Sequence, residues 1–211
     1  SGALSKTGTA DTSTLLKSSR HILLGSGASM TTAAGSQNIK LWADSDNSGD
    51  GINIISSQAV ATGGGSLTIG NGSTATIGGV TTLVGGDLYF NGTLAQALST
   101  DGGDITINGE TILANTAGVT FNSGGGDILF SGVLNSGNQY TGVTSAQTWQ
   151  GAVAHAKSGN GDQLGDTYLA TVTSRLENAI AGIAVNYAPS WLGGRRVTGI
   201  GTDSSWRWVT G

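Results

Sequence analysis

The chain has 211 residues, 37 of them Gly and one Pro; 10% are charged and the net charge is −4. The nine Lys and Arg residues leave the whole interval between Lys40 and Lys157 without a cation, so no basic stripe exists to neutralise phosphates and nucleic-acid binding is excluded. No apolar run approaches the roughly 18 residues of a membrane span, and the lack of Cys removes thiol catalysis, disulfides and Cys-type zinc sites.

Val, Ile, Leu and Thr occur in short runs separated by Gly, Ser, Asn and Asp. That mixture suits many short strands joined by tight turns better than it suits a charge-rich, Pro-rich disordered chain. The opening Ser-Gly-Ala-Leu carries neither an initiator Met nor a signal-peptide pattern, and the chain reads as an interior piece of a longer protein.

In chain order, apolar-x-apolar pairs come first at Ile22/Leu24, Ile39/Leu41 and Ile52/Ile54. The segment DSDNSGDG, Asp44 to Gly51, follows the second of these. Its alternating oxygens at Asp44, Asp46, Ser48 and Asp50 resemble the start of an EF-hand calcium loop, with Gly49 at the bend. Against that, the twelfth position is Ile55 where a bidentate Glu is needed. Two readings therefore stand: a weak calcium site on Asp44, Asp46, Ser48 and Asp50, or a polar corner.

A stronger phrase then recurs: glycines, a small polar or acidic residue, then apolar-x-apolar. It appears as GGSLTI (64–69), GGDLYF (85–90), GGDITI (102–107) and GGDILF (125–130), with starts 21, 17 and 23 residues apart. Alternation places Leu88 and Phe90, or Ile105 and Ile107, on one face with the intervening residue outward. Glycines before each strand allow positive φ at a corner. Such a period predicts a solenoid whose coils bury their inward side chains only by stacking. Asn91-Gly92 and Asn108-Gly109 would instead suit hairpins of an antiparallel sandwich. Asp87, Asp104 and Asp127 precede three of the strands, either as turn-capping acceptors or as a carboxylate ladder facing ions or sugars.

The stretch LLKSSRHILLGSGASMTTAAGSQNIKLWADSDNSGDGINI, together with the GGDITI phrases, resembles repeats of filamentous-haemagglutinin-type exoproteins, over about residues 15–137. The resemblance implies a right-handed parallel β-helix, export through an outer-membrane partner, and adhesion.

From Tyr140 the pattern becomes helical. TWQGAVAHAKSG places Trp149, Val153 and Ala156 on one helical face, with Thr148 or Ser145 at its start and Gly159 at its end. SRLENAIAGIAV predicts a second helix, with Ser174 and Glu177 at capping-box spacing and Ile180, Ile183 and Ala184 on its apolar side. The order TWQGAVAHA, YLATVTSRLENA, WLGG, WRWVTG resembles the first half of a bacterial C-type-lectin-like domain, about residues 139–211. That resemblance makes Trp149, Trp191, Trp206 and Trp208 core residues. The EPN- or QPD-like triplet and WND-like motif that hold calcium and sugar in that family are not in this sequence, so no ligand residue is carried over. Half such a fold would leave apolar surface uncovered.

For catalysis, the two histidines, His21 and His155, have no motif around them, and there is no Gly-x-Ser-x-Gly elbow or phosphate loop. Arg195-Arg196 is the only basic pair and reads as a solvated loop. Trp42, next to a strand phrase, is the one tryptophan expected to offer an outward face for sugar stacking.

The expectation is a mainly β chain: a right-handed parallel β-helix of about 20-residue coils over 1–137, then a truncated α+β C-type-lectin-like domain over 138–211. Function follows as a non-enzymatic, secreted bacterial adhesin or matrix fragment at the cell surface, meeting a host, neighbour-cell or matrix surface and its glycans. A self-assembling filament or sheath is the alternative, since open strand edges pair readily. A carbohydrate-active β-helix enzyme is the third reading. Calcium is the only cofactor expected.

Overall fold

The computed structural model describes residues 3–48, 51–56, 59–77, 79–115, 117–136, 140, 142, 143, 145, 147–157, 169–196 and 206–208. The chain divides into two compact units, Ser1–Gln139 and Tyr140–Gly211.

In the first unit the strands visit three parallel sheets in rotation. β1 (Ala3–Lys6), β4 (Ser29–Thr32), β7 (Ala59–Ala61), β12 (Gln96–Ser99) and β15 (Val119–Asn122) form the first sheet. β2 (Thr12–Lys17), β5 (Gln37–Trp42), β8 (Leu67–Ile69), β13 (Ile105–Ile107) and β16 (Ile128–Phe130) form the second. β3 (Ile22–Leu24), β6 (Asn53–Ile55), β11 (Leu88–Phe90), β14 (Thr111–Leu113) and β17 (Leu134–Ser136) form the third. The missing numbers, β9 (Thr74–Ile77) and β10 (Val80–Leu83), are an antiparallel hairpin inserted between the second and third sheets.

Each circuit stacks on the previous one in fixed register, and the core is a set of columns. In the second sheet Ile39, Leu67, Ile105 and Ile128 are partners, as are Leu41, Ile69, Ile107 and Phe130. In the first, Met30 lies opposite Val60, Val60 opposite Leu98, and Leu98 opposite Phe121. Most of these are fully buried, and each such side chain contributes about 1.5–3 kcal/mol relative to exposure. Phe121 stands edge-on to Phe90 and to Phe130, at centroid distances of 5.6 and 5.2 Å. At the last described coil the columns end in the open: Ile128 is 42% exposed and Leu134 47%.

The recurring glycine phrase is not one copy per circuit. GGSLTI, GGDITI and GGDILF enter the second sheet as β8, β13 and β16, whereas GGDLYF enters the third as β11. The spacings of 21 and 17 residues are thus two parts of one circuit lengthened by the hairpin. The undisturbed repeat, seen in Gln96↔Val119, Ile105↔Ile128 and Leu88↔Thr111, is 23 residues. The inward-outward alternation also fails on β11, where Tyr89 is as buried as Leu88 and Phe90; burial pushes the Tyr89 phenol pKa up.

The corner from the first to the second sheet is a repeated turn. Thr62-Gly-Gly-Gly, Thr100-Asp-Gly-Gly and Ser123-Gly-Gly-Gly each carry two consecutive left-handed residues, such as Gly63 at φ 60° and Gly64 at φ 106°. Glycine relieves the Cβ clash there, and Asp101 takes the same conformation at φ 55°. The last glycine of each turn serves a different need. A Cβ on Gly65, Gly103 or Gly126 would lie 2.4, 2.4 and 2.3 Å from a backbone atom of the preceding coil, so close stacking itself requires glycine.

In the second unit α1 (Trp149–Lys157) and α2 (Arg175–Ala184) occupy the two predicted helices, and β18 (Gly194–Arg196) pairs antiparallel with β19 (Trp206–Trp208). Thr148 Oγ1 accepts from the Gly151 N–H at 3.1 Å to start α1. Ser174 and Glu177 form the expected reciprocal capping box on α2, whose Leu176, Ala179 and Ile180 are buried. No helix among the described residues is long and apolar enough to cross a membrane.

Candidate binding face and acidic loop

Side chains just ahead of the second-sheet strands form a ladder along the stack. Asn38 Oδ1 accepts from the Ser66 N–H at 2.9 Å, Ser66 Oγ from the Asp104 N–H at 3.3 Å, and Asp104 Oδ1 from the Asp127 N–H at 2.9 Å. Asp11 begins the same edge, its Oδ1 accepting from the Ser36 N–H at 3.1 Å and Ser36 Oγ at 2.7 Å. Those bonds from Ser36 hold the Asp11 carboxyl below its ordinary pKa. Asp104 and Asp127 are therefore backbone acceptors and donors between coils. Asp87 is not in their column: it precedes the third sheet, where its Oδ1 accepts from the Glu110 N–H at 3.0 Å. The sequence pattern showed the carboxylates but hid Asn38 and Ser66, which do the same work in other residue types.

A second ladder lies inside the corner. Thr62 Oγ1 donates to the carbonyls of Gly65 and Thr100, and Thr100 Oγ1 donates to those of Gly103 and Ser123. Asn53, wholly buried in the third sheet, donates from Nδ2 to the Gly85 and Asp87 carbonyls, each at 3.2 Å. Such bonds satisfy polar groups that burial would otherwise make costly.

Outward of the second sheet lies a shallow cleft of about 370 Å³, lined among others by Ser13, Leu15, Asn38, Lys40, Ser66 and Thr68. Beside it stands Trp42. Its ring has the Lys17 ammonium 4.3 Å and the Lys40 ammonium 5.6 Å from its centroid. Trp42 Nε1 is buried without a hydrogen-bond partner, against Gly85, where a Cβ would come within 3.1 Å of it. Trp42 is thus half-buried under lysine rather than a bare stacking face, a contact worth about 0.5–1 kcal/mol at an exposed site. The cleft offers hydroxyl and amide groups next to two ammoniums, a surface suited to hydrogen-bonding polar or anionic groups.

The acidic loop closes on itself. Asp44 is buried with φ 49°, its N–H donates to the Arg20 carbonyl at 3.0 Å, and its Oδ1 accepts from Ser48 Oγ at 2.9 Å. Asp46 Oδ1 faces the Ser48 N–H at 3.4 Å. Desolvation pushes the Asp46 pKa up, but hydrogen bonds from the Ser48 backbone and hydroxyl outweigh it and hold the carboxyl below its ordinary range. Asp44, Asp46 and Ser48 are thereby brought together; Asp50 lies outside the described residues. Among the described residues no group of three or more His, Cys, Asp or Glu side chains is placed to share a metal ion.

Of the histidines, His21 Nδ1 accepts from the Ile52 N–H at 3.2 Å, joining two coils, and His155 is half-buried on α1. The tryptophans of the second unit depart from the expected core. Trp191 is 55% exposed; its indole N–H donates to the Gln147 carbonyl at 2.9 Å, while the Trp149 N–H donates to the Leu192 carbonyl at 3.2 Å. The pair clamps the start of α1 to the 191–192 segment, and that bonding leaves the Trp191 ring at the surface. The side chains of Arg195, Arg196, Trp206 and Trp208 lie outside the described residues.

No protein-family model matches the chain, and no solved structure matches it. Over 103 residues, 48% of the chain, it is 35% identical to halomucin of Haloquadratum walsbyi, of which the match covers 1%. The chain accordingly spans about a hundredth of the length of that curated relative.

Proposed function

We propose that this chain is a segment of a non-enzymatic cell-surface protein, in which a rigid stack of coils carries a second unit outward. The observation that bears this reading is the unbroken rotation of fifteen strands through three parallel sheets, with side-chain ladders at the corners. Coils about 4.8 Å apart, each bonded to the next through its backbone, make a stiff spacer whose outward faces are free for recognition. Closed in the right-handed sense usual for parallel crossovers, the stack is a β-helix of the kind the filamentous-haemagglutinin resemblance implies. The second unit is read as C-type-lectin-like, with the two helices and the antiparallel pair β18–β19 as support. The partial similarity to halomucin is consistent with a surface location. The cleft beside Lys40 and Trp42 suits glycans or an anionic matrix as partners.

The experiment is to immobilise the chain and expose it to a panel of surface polysaccharides while assaying for new reducing ends. Saturable binding without chain cleavage supports the adhesin or matrix role. Release of reducing ends would replace it with a carbohydrate-active enzyme.

The exposed Ile128 and Leu134 favour a second reading, self-assembly, in which another coil covers that end of the stack. Light scattering would reveal it as a mass that grows with concentration.

A further inference from the structure

The connection from β8 into the β9–β10 hairpin begins Asn71-Gly72-Ser73. Asn-x-Ser/Thr without Pro at x is the acceptor sequence for N-linked glycosylation, used on surface loops of exported proteins. The chain has one other such triplet, Asn91-Gly92-Thr93. The structure separates the two.

Asn71 is exposed, and its Nδ2 donates to Ser73 Oγ at 3.4 Å, so the amide nitrogen and the hydroxyl of the triplet already face each other. Lys40 Nζ donates to Asn71 Oδ1 and fixes which end of the amide points to Ser73. Gly72 turns the chain at φ 67°, and a Cβ there would meet nothing within 4 Å, so the turn stands clear of the stack. Asn91 is half-buried in a corner between the third and first sheets. Its Oδ1 accepts from Ser56 Oγ and its carbonyl from Gln96 Nε2 at 3.2 Å.

We propose that Asn71 is an N-glycosylation site and that Asn91 is not. The donor is an oligosaccharide on a lipid phosphate or diphosphate. Nδ2 forms a bond to the anomeric carbon, the bond from that carbon to the phosphate oxygen breaks, and the lipid phosphate leaves with the electron pair. One Nδ2 proton is released, and nothing is oxidised or reduced. A glycan at this position sits at the base of a two-stranded hairpin whose strands pair only with each other, and it would shield both open edges from pairing with other chains. The inference rests on the cell-surface reading above.

The test uses protein recovered from outside the cells that naturally make it, with its location scored separately by fractionation. Cleavage before Asp50, Asp87 and Asp101 places Asn71 in peptide 50–86 and Asn91 in peptide 87–100. Mass spectrometry should find sugar residues added to 50–86, localised to Asn71, and 87–100 at its unmodified mass. Ser73→Ala should abolish the addition and Ser73→Thr should keep it. An external protein with 50–86 at its unmodified mass, or with sugar on 87–100 instead, would overturn the assignment and leave the surface reading intact. Protein found only inside the cells would refute the surface reading, and the Asn71 assignment with it.

Discussion

The Asp127 backbone N–H donates to the carboxylate of Asp104, 23 residues earlier, at 2.9 Å. Both residues precede strands of the second sheet, and the bond ties one coil to the next outside the strand ladder itself. Asp104 in turn receives Ser66 as its own acceptor. Asp104→Ala should therefore loosen both joints and cost about 1 kcal/mol, the usual net worth of such a bond, whereas Asp104→Asn should be near neutral. Urea denaturation of the chain, followed by far-UV circular dichroism, measures the difference.

Close stacking predicts a sharper loss at the glycine column. A Cβ on Gly103 would lie 2.4 Å from the Gly65 carbonyl oxygen, and neither coil can retreat without breaking register. Gly103→Ala should cost about 1–3 kcal/mol, the range for overpacking. Gly8→Ala, where a Cβ meets nothing within 4 Å, should change stability by less than about 0.5 kcal/mol. Equal effects from the two substitutions would contradict the stacked geometry.

The acidic loop gives a prediction about metal. Because Asp44 and Ser48 already satisfy one another, exchanging calcium for a chelator should leave the thermal midpoint unchanged, and Ser48→Ala should lower stability by about 1 kcal/mol. A midpoint raised by calcium, with the rise lost in Asp44→Asn, would instead establish an ion site there.

Glu177 supplies the pH dependence. Desolvation acts to raise its pKa, but hydrogen bonds from the Thr173 hydroxyl and backbone, from Tyr140 and from Ser174 prevail and lower it. A depressed folded pKa means that the contribution is present above the unfolded value, about 4.3 for Glu. It is lost as pH falls through the folded pKa. The second unit should therefore weaken as pH drops below about 4.3, and Glu177→Gln should flatten that slope. Ser174→Ala should cost about 1 kcal/mol at neutral pH.

The alternation in GGSLTI, GGDITI and GGDILF made the second sheet legible, because one face of each strand is core and the other is solvent. The third sheet was harder to read. Asn53 and Thr111 stand in its inward columns, and Tyr89 is buried on the other side, so period-two patterning breaks there. The circuit length was obscured by the β9–β10 insertion, whose Thr-rich strands resemble the coil strands in composition. Both helices were marked by local signals, the Ser174–Glu177 box above all, since caps depend on neighbours in sequence. The contacts of Trp42 with Lys17 and Gly85 depend on register between coils, which no local pattern carries. The signal that went unread was the Thr/Ser-x-Gly-Gly corner at Thr62, Thr100 and Ser123; it marks every circuit after the second.

Register between coils is also where the account is most exposed to test. The chain has no Cys, so pairs can be introduced cleanly. Thr106 lies opposite Leu129 on neighbouring parallel strands, within the span a disulfide needs. Thr106→Cys with Leu129→Cys should form an intramolecular disulfide under mild oxidation, seen as a mass loss of about 2 Da. Thr106→Cys with Ile112→Cys should stay reduced. The reverse outcome, bonding only across the Asn108-Gly109 turn, would mean an antiparallel hairpin sandwich and would contradict the stacked coils on which the proposed role depends.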